Sequence, residues 1–218
     1  MKVNNLSLTN SIINRYLAQM RDVSVQSDRL RFRTNIERIG SLMAYEVSKT
    51  LNYKSVDVTT PLGTATVNVP ADQLVVGTIM RAGLPMHTGV LNVFDDAENC
   101  FVSAFRVYND RHEVEIRLGY AATPRLDDKV LIIADPMLAT GYSMLQTIEQ
   151  LLVFGRPKSI HILSIIAAQA GVDYLTSHNK EVVPTTIWTA TIDPILNSDS
   201  YIVPGLGDAG DLAFGTKL

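Results

Sequence analysis

The sequence predicts an α/β fold in which a mainly parallel, doubly wound sheet carries helices on both faces. Two observations predict this fold. From Leu74 to Ile192, short and almost wholly apolar strands alternate with helical segments, which is typical of a parallel sheet covered on both sides. Before that, about residues 1–70 are predicted to form helices and an antiparallel hairpin packed on the core. We expect residues 1–218 to form a single domain.

Two amphipathic helices and a hairpin are predicted in the amino-terminal part. Residues 11–22 and residues 29–50 each place apolar side chains on one face at helical spacing. Residues 55–60 and 63–69 alternate polar and apolar side chains around a Pro-Leu-Gly turn. This arrangement is typical of an antiparallel hairpin.

From Leu74 onward the pattern changes to strands and helices in alternation. Ligands of such sheets bind beyond the carboxyl ends of the strands, so a site is expected in the loops after Met80, Asp135 and Asp193. The expected strands are 74–80, 100–108, 111–120, 129–135, 159–166 and 185–192, the expected helices are 84–94, 144–155 and 167–179, and 136–143 is expected as a loop.

The composition is that of a globular protein without a broad charge-driven partner. The formal net charge of -3 argues against binding nucleic acid or anionic lipid over a wide surface. Cys100 is the only cysteine, which excludes an intrachain disulfide, and its apolar neighbours predict a buried, inert thiol. The first residues lack a signal-peptide block, and no apolar run approaches the ~20 residues of a membrane span. A reduced, cytoplasmic setting with no membrane partner is therefore expected.

The segment from Asp135 to Ser143 joins a buried strand to a helix and suits an oxyanion. Residues 140–144 present successive backbone N–H groups at a helix start, and Thr140 and Ser143 add hydroxyl groups. The Asp135 carboxylate, at the end of the strand, can accept hydrogen bonds from a pair of sugar hydroxyls. The spacing alone fits equally an ordinary strand-to-helix turn with a Thr or Ser cap.

Three glycines near the carboxyl end, Gly205, Gly207 and Gly210, follow the G-x-G-x-x-G spacing of dinucleotide-binding proteins. That motif must follow an early strand and open a long helix of a βαβ unit, and only eight residues follow Gly210. We therefore reject a dinucleotide site. The glycines are expected to bring bare backbone close to a flat ligand instead.

Three segments resemble motifs of the uracil phosphoribosyltransferases. The sequence LIIADPMLATGYS at 131–143 resembles their signature for phosphoribosyl pyrophosphate (PRPP). TIMRAGL at 78–84 resembles their pyrophosphate loop, and YIVPGLGDAGDLAFGTK at 201–217 resembles their uracil-binding tail. The likeness is thinner in the amino-terminal part, although Met-Arg-Asp at 20–22 also fits. Three separate motifs in the right order make the resemblance specific.

The resemblance implies where the substrates bind. Arg81, Arg106 and Asp135 are the implied catalytic residues, with both guanidinium groups facing the pyrophosphate because their planar forks bind phosphate oxygens bidentately. The implied PRPP contacts are Arg81, Arg106, Asp135, Pro136, Met137, Leu138, Ala139, Thr140, Gly141, Tyr142, Ser143 and Asp208, and the implied uracil contacts are Ile202, Gly207, Asp208 and Ala209.

The implied reaction converts uracil and PRPP to UMP and pyrophosphate by displacement at the anomeric carbon of the ribose. Mg²⁺ is the implied cofactor, held mostly by pyrophosphate oxygens and water rather than by protein ligands. A homodimer or higher homo-oligomer and a GTP effector are possibilities that the family suggests. The alternative is a PRPP- or nucleotide-sensing regulator built on the same fold.

Several positions depart from the family pattern. Tyr142 stands where the signature normally has glycine, which puts the PRPP affinity in doubt, and its ring is expected either to cover the sugar or to point to solvent. Purine-using relatives have acids where this chain has Pro136 and Ala139, so no general base is evident. Residues 111–125 match poorly and are expected as a lid or a dimer contact. The Arg81–Ala82 peptide bond is expected to be non-prolyl cis.

Overall fold

A computed structural model describes residues 1–108, 114–179 and 183–217, and the side chains of residues 1–103, 119–179 and 183–217. The helices within these ranges are α1 (Ile13–Arg21), α2 (Arg29–Ser48), α3 (Leu84–Leu91), α4 (Tyr142–Leu151), α5 (Gln169–His178) and α6 (Ala209–Phe214). The strands are β1 (Lys2–Asn5), β2 (Tyr53–Thr60), β3 (Gly63–Pro70), β4 (Leu74–Ile79), β5 (Glu98–Tyr108), β6 (Val114–Ala122), β7 (Val130–Ala134), β8 (Met137–Leu138), β9 (Ser159–Ala168), β10 (Thr185–Asp193), β11 (Ile195–Leu196) and β12 (Ile202–Val203).

The central sheet is mainly parallel and confirms the predicted fold class. Its strands follow the order β1-β10-β9-β7-β4-β5-β6, and β8 adds a short pairing to β9. Every neighbouring pair in this sheet is parallel except β5 and β6, which run antiparallel. The carboxyl ends of β4, β7, β9 and β10 therefore share one edge of the sheet.

Each face of the sheet carries its own apolar layer, as alternation along β7 shows. Val130, Ile132 and Ala134 belong to the cluster that also holds buried residues of α1, α2, α3 and α6. Leu131 and Ile133 belong to the opposite cluster, together with buried residues of α4 and α5. Because successive side chains of a strand point to opposite faces, an all-apolar strand requires helices on both sides.

The amino-terminal helices and the hairpin form where the sequence predicts them. Helix α2 begins after Asp28, whose side chain accepts a hydrogen bond from the Arg31 backbone N–H at 3.0 Å, as an N-cap residue does. Strands β2 and β3 pair antiparallel over their whole length, from Tyr53 opposite Pro70 to Thr60 opposite Gly63. They form a two-stranded sheet separate from the central one.

Several short elements were not predicted. Strand β1 pairs parallel with β10 at the sheet edge, and β8 interrupts the segment that was expected to be a loop. The backbone carbonyl of Pro136 accepts hydrogen bonds from Ile165 and Ile166, both at 3.0 Å, and Leu138 is almost fully buried. Short pieces such as these carry too few residues to show a periodicity, and only their tertiary partners define them.

Cys100 and His161 occupy buried positions in the central sheet. Cys100 is fully buried, and burial raises the pKa of its thiol. Burial lowers the pKa of His161 to about 4, and its Nδ1 accepts a hydrogen bond from Trp188 Nε1 at 3.0 Å. His112 lies outside the described residues. Within the part of the chain that the structure describes, no helix is long and apolar enough to cross a membrane.

Candidate active site

A cavity of about 690 Å³ lies at the carboxyl edge of the sheet. Its walls come from the end of β4, the segment after β7, the first turn of α4 and two parts of the carboxyl-terminal tail. The lining residues are Ile79, Met80, Arg81, Ala82, Asp135, Met137, Ala139, Ser143, Asp199, Ser200, Tyr201, Ile202, Gly207, Asp208, Ala209, Gly210 and Lys217. All three loops expected to form a site therefore meet here or directly behind it.

Arg81 lies at the end of β4, where the chain turns into α3. Its Nη2 donates to Asp211 Oδ1 at 2.9 Å, and its Nη1 donates to the Gly215 carbonyl at 3.2 Å. The side chain remains 40% exposed, and Arg81 belongs to the cavity lining. Arg81 thus joins the predicted pyrophosphate loop to the tail that resembles the uracil-binding segment.

The non-prolyl cis peptide bond lies one residue earlier than expected. It is the Met80–Arg81 bond, and the expectation of a cis Arg81–Ala82 bond was wrong. The Met80 N–H still donates to the Val102 carbonyl at 2.8 Å, so the chain leaves the sheet directly after Met80. A second cis bond, Val203–Pro204, lies in the tail.

Asp135 lies at the end of β7, partly exposed to the cavity. Its backbone N–H continues the sheet pairing by donating to the Leu163 carbonyl at 3.1 Å, and its Oδ1 accepts a long hydrogen bond from the Met137 N–H at 3.4 Å. Burial raises the pKa of this carboxyl to about 7, against the smaller lowering effect of the Met137 bond. A carboxyl that titrates near neutral pH inside a cavity marks a candidate functional group.

The turn from β8 into α4 is the segment that the sequence predicts to bind an anion. Gly141 has a φ of 78° and lies so close to α5 that a Cβ atom would come within 2.6 Å of the Gly171 carbonyl oxygen. Any other residue here would be both strained and obstructed. Thr140 Oγ1 accepts from the Tyr142 N–H at 3.4 Å, and Ser143 lines the cavity. The first N–H groups of a helix have no partner within it, and they suit a phosphate.

Tyr142 packs against α5 and does not belong to the cavity lining. It is the first residue of α4, with helical backbone, so a side chain is tolerated where the family has glycine. Its ring meets Tyr174 of α5 edge to face, with 6.2 Å between the ring centroids. The departure from the family pattern is therefore accommodated by α5 and does not intrude into the cavity.

Replacing Tyr142 by glycine is expected to lower stability and leave PRPP affinity nearly unchanged. The variant loses an aromatic pair, which contributes roughly 0.5–1.5 kcal/mol, and gains backbone freedom in the unfolded chain. We expect a drop of about 1–2 kcal/mol in the free energy of unfolding and a KM for PRPP within about threefold of the wild type. Urea unfolding and initial-rate kinetics measure the two quantities. A KM for PRPP raised tenfold would mean that the ring takes part in binding.

The tail reaches the cavity through an irregular turn. Gly205 has a φ of 56°, and a Cβ atom there would come within 2.1 Å of the Ile202 carbonyl oxygen, so only glycine fits. Asp208 caps α6 by accepting a hydrogen bond from the Asp211 N–H at 2.9 Å. Because α6 has six residues and follows the two-residue strand β12, the glycine spacing serves this turn and not a dinucleotide fold.

Most of the predicted contact residues line the cavity, but not all of them do. Pro136 and Leu138 are buried beneath it, and residues 140–142 form the turn into α4. Arg106 belongs to β5, where its backbone pairs with Ile116, and its side chain lies outside the described part of the structure. The predicted residues that line the cavity are Arg81, Asp135, Met137, Ala139, Ser143, Ile202, Gly207, Asp208 and Ala209.

The structure adds site residues that sequence reasoning missed. Asp199, Ser200 and Tyr201 reach the cavity from the turn between β11 and β12, and Lys217 adds a cation to its lining. Tyr201 and Lys217 lie inside the tail segment that resembles the family, so that likeness was an available signal. Nothing in the sequence pattern of Asp199 and Ser200 points to a site beyond an ordinary turn.

Comparison with known proteins identifies the family. The family model described as uracil phosphoribosyltransferase matches residues 7–216. A uracil phosphoribosyltransferase of Porphyromonas gingivalis is 56% identical over 220 residues, which cover 100% of both chains. One from Methanothermobacter thermautotrophicus is 42% identical over 190 residues, covering 86% of this chain and 85% of that protein.

Solved structures agree with this family at the level of the fold. The structure of a protein from Aquifex aeolicus superposes with a TM-score of 0.86 at 27% identity, covering 99% of each chain. A hypoxanthine phosphoribosyltransferase from Staphylococcus aureus superposes with a TM-score of 0.50 at 13% identity, over 86% of this chain and 84% of that one, which shows a shared fold alone. Taken with the family match over nearly the whole chain, these findings show that the protein belongs to the uracil phosphoribosyltransferase family.

Proposed function

We propose that this protein transfers the phosphoribosyl group of PRPP to uracil, forming UMP and pyrophosphate. One observation carries the proposal: residues of the predicted phosphate segment, Ala139 and Ser143, and residues of the tail between 202 and 209 line the same cavity. Asp135 lines the same cavity. A sugar phosphate and a flat base bound to these two parts would meet within one cavity.

The predicted phosphate segment is proposed to hold the 5-phosphate of PRPP. The phosphate oxygens would accept hydrogen bonds from the first N–H groups of α4 and from the hydroxyls of Thr140 and Ser143. The partial positive charge at the start of α4 favours the same anion. These contacts fix the sugar and so position its anomeric carbon in the cavity.

Asp135 is proposed to bind the two ribose hydroxyls. Its ionised form accepts two charge-assisted hydrogen bonds, and its negative charge stabilises the positive charge that develops on the ribose ring as pyrophosphate leaves. Because the pKa of this group is about 7, the carboxylate is only partly formed at neutral pH in the protein without substrate. Donors from the sugar hydroxyls would favour its ionisation.

The pyrophosphate is proposed to lie against Arg81, with Arg106 as a second cation by family likeness. Among the described residues, no group of three or more His, Cys, Asp or Glu side chains could hold a metal ion, so Mg²⁺, which prefers oxygen ligands, would take few of them from the protein. Bound Mg²⁺ would be held mostly by pyrophosphate and water and would offset the charge of the leaving group. Arg81 itself orients the pyrophosphate through its planar fork.

The base is proposed to be recognised by main-chain groups of Ile202, Gly207, Asp208 and Ala209. Uracil presents an acceptor, a donor and an acceptor along one edge, and backbone N–H and C=O groups can match that order. Cytosine reverses part of the pattern and would leave buried groups unpaired, which is strongly unfavourable. No general base is assigned for the uracil N1 proton.

The regulatory alternative lacks a specific observation in its favour. A nucleic-acid-binding regulator would need a basic surface, and the net charge is -3. The curated relatives carry the name of the enzyme. A homo-oligomeric state, GTP activation and a cytoplasmic location stay predictions, which sedimentation velocity, rate measurements with added GTP and cell fractionation would test.

The decisive experiment mixes the purified protein with Mg²⁺, PRPP and labelled uracil and follows UMP by chromatography. Formation of UMP with uracil, a rate at least about 100-fold lower with cytosine, and dependence on added Mg²⁺ are expected. Calorimetric titration with UMP provides a second readout. Absence of both UMP formation and uracil binding would overturn the proposal.

A further inference from the structure

Arg21 and Asp193 form a paired contact directly behind the tail turn. Arg21 lies at the end of α1 and Asp193 at the end of β10. The guanidinium donates to both carboxylate oxygens, with Nη1 to Oδ2 at 2.7 Å and Nη2 to Oδ1 at 2.6 Å. The side chains are 23% and 6% exposed, so the pair is largely removed from water.

The same two side chains hold both backbone groups of Gly205. Arg21 Nη1 also donates to the Gly205 carbonyl at 2.9 Å, and the Gly205 N–H donates to Asp193 Oδ2 at 2.8 Å. The pair therefore closes a ring of hydrogen bonds around one residue that adopts a left-handed conformation. Gln26 extends this support by donating from Nε2 to the Leu206 carbonyl at 3.3 Å.

The supported residues immediately precede the ones that line the cavity. Arg21 and Asp193 are absent from the lining, whereas Gly207, Asp208 and Ala209 belong to it. A buried ion pair is weak evidence for stability, because removing two charges from water offsets much of their attraction. Fixing one backbone conformation is the role that this geometry supports better.

We propose that Arg21 and Asp193 are positioning residues for base recognition, which hold the turn at Gly205 so that the backbone of 207–209 matches uracil. The inference rests on the proposed function of the tail. It assigns no contact with substrate to either residue. Both act through the main chain of Gly205.

Two mild substitutions separate positioning from general stability. Arg21→Lys keeps the charge but lacks the fork that reaches both Asp193 oxygens and the Gly205 carbonyl. Asp193→Asn keeps the size but lacks the charge and one acceptor. We expect the KM for uracil at saturating PRPP to rise about tenfold or more, since a weakened hydrogen-bonded charge pair alters binding on this scale. The KM for PRPP at saturating uracil should stay within about threefold.

Asp72→Asn provides the matched control. Asp72 also pairs with a cation, Lys158, at 2.6 Å and its side chain is 8% exposed, but it lies just before β4, at the amino edge of the sheet. This variant should lose thermal stability with little change in either KM. The double variant Arg21→Lys with Asp193→Asn should be no worse for uracil than the poorer single variant, because both changes disable one unit.

The outcomes are distinguishable. A wild-type protein that does not convert uracil would overturn the proposed function and this inference with it. Normal wild-type activity with an unchanged uracil KM in both variants would overturn this inference alone. This inference would also be overturned if the KM values for uracil and PRPP both rose in proportion to the loss of melting temperature, and did so equally in Asp72→Asn. If Asp193→Asn fails to fold, the KM values of Arg21→Lys for uracil and PRPP decide the question alone.

Discussion

Asparagine at position 135 is expected to remove most of the turnover and, at the same time, to make the ligand-free protein more stable above neutral pH. The amide cannot supply the negative charge proposed to face the developing positive charge on the ribose, and it offers one acceptor in place of two. A loss of at least about 100-fold in kcat is expected, similar to the loss of one preorganised transition-state contact.

The stability gain follows from the raised pKa of the Asp135 carboxyl. In the unfolded chain this group ionises near its ordinary pKa of 3.8, and in the folded protein near 7. Between these values the unfolded chain has released a proton that the folded protein retains, so the free energy of unfolding falls as the pH rises through this window. Below about pH 4 both states are protonated, and the penalty vanishes.

Asparagine does not titrate, so the variant avoids this penalty. Its advantage over the wild type should be absent near pH 4, grow up to about pH 7, and level off at a few kcal/mol in order of magnitude. Urea unfolding at pH 4, 6 and 8 measures this difference. Asp95→Asn, which removes an exposed carboxylate, serves as the control for the loss of one negative charge.

Activity measurements test the proposed contact of Asp135 with the ribose hydroxyls, and stability measurements test the raised pKa of its carboxyl separately. In the wild type, kcat/KM for PRPP should rise with pH through about 7 as the carboxylate forms. Wild-type kinetics in Asp135→Asn would show that the sugar-hydroxyl role is wrong. A variant that is less stable than the wild type at pH 8 would contradict the raised pKa.

The second large effect is expected at Arg81. Arg81→Lys keeps a positive charge but loses the planar fork, and we expect kcat/KM for PRPP to fall by about 10²-fold or more. In Arg81→Ala, kcat/KM for PRPP should fall further than in Arg81→Lys. The kinetic parameters for PRPP should change, since pyrophosphate is the group that the guanidinium is proposed to orient.

Asp211→Asn is the informative partner of this variant, because Asp211 holds Arg81 at 2.9 Å in the ligand-free protein. Releasing the guanidinium from its carboxylate should leave the KM for PRPP unchanged or lower it. Initial rates measured over a grid of PRPP and uracil concentrations show which of the two KM values each variant changes. If Arg81→Lys raised only the KM for uracil, Arg81 would serve to hold the tail and not the pyrophosphate.

The sequence predicts the sheet and its helices well because their signals are local. An apolar strand such as 130–134 carries its pattern within five residues, and the switch from strand to helix at 135–144 carries the predicted phosphate segment with it. The residues of this contiguous segment that line the cavity, Asp135, Met137, Ala139 and Ser143, could be named in advance. Even there, the burial of Leu138 through β8 depended on β9, a partner that the local pattern does not reveal.

The remaining parts of the site depend on contacts between distant residues. Met-Arg-Asp at 20–22 stands out from the sequence only as a likeness to the family, since nothing in the amphipathic pattern of α1 indicates that Arg21 pairs with Asp193. The turn that carries Asp199 and Ser200 reads as an ordinary loop. Such residues become visible only when tertiary packing brings their side chains to one place.

The ring of hydrogen bonds around Gly205 joins residues that are far apart along the chain. Arg21 is 172 positions from Asp193 and 184 positions from Gly205. Closing so long a loop is entropically costly and comes late relative to contacts between neighbours in sequence. During refolding, the chain is therefore expected to regain binding of sugar phosphates before it regains selectivity for one nucleobase over another. Stopped-flow refolding, with binding of inorganic phosphate and uracil turnover followed in parallel, tests this order, and simultaneous recovery of the two signals would contradict it.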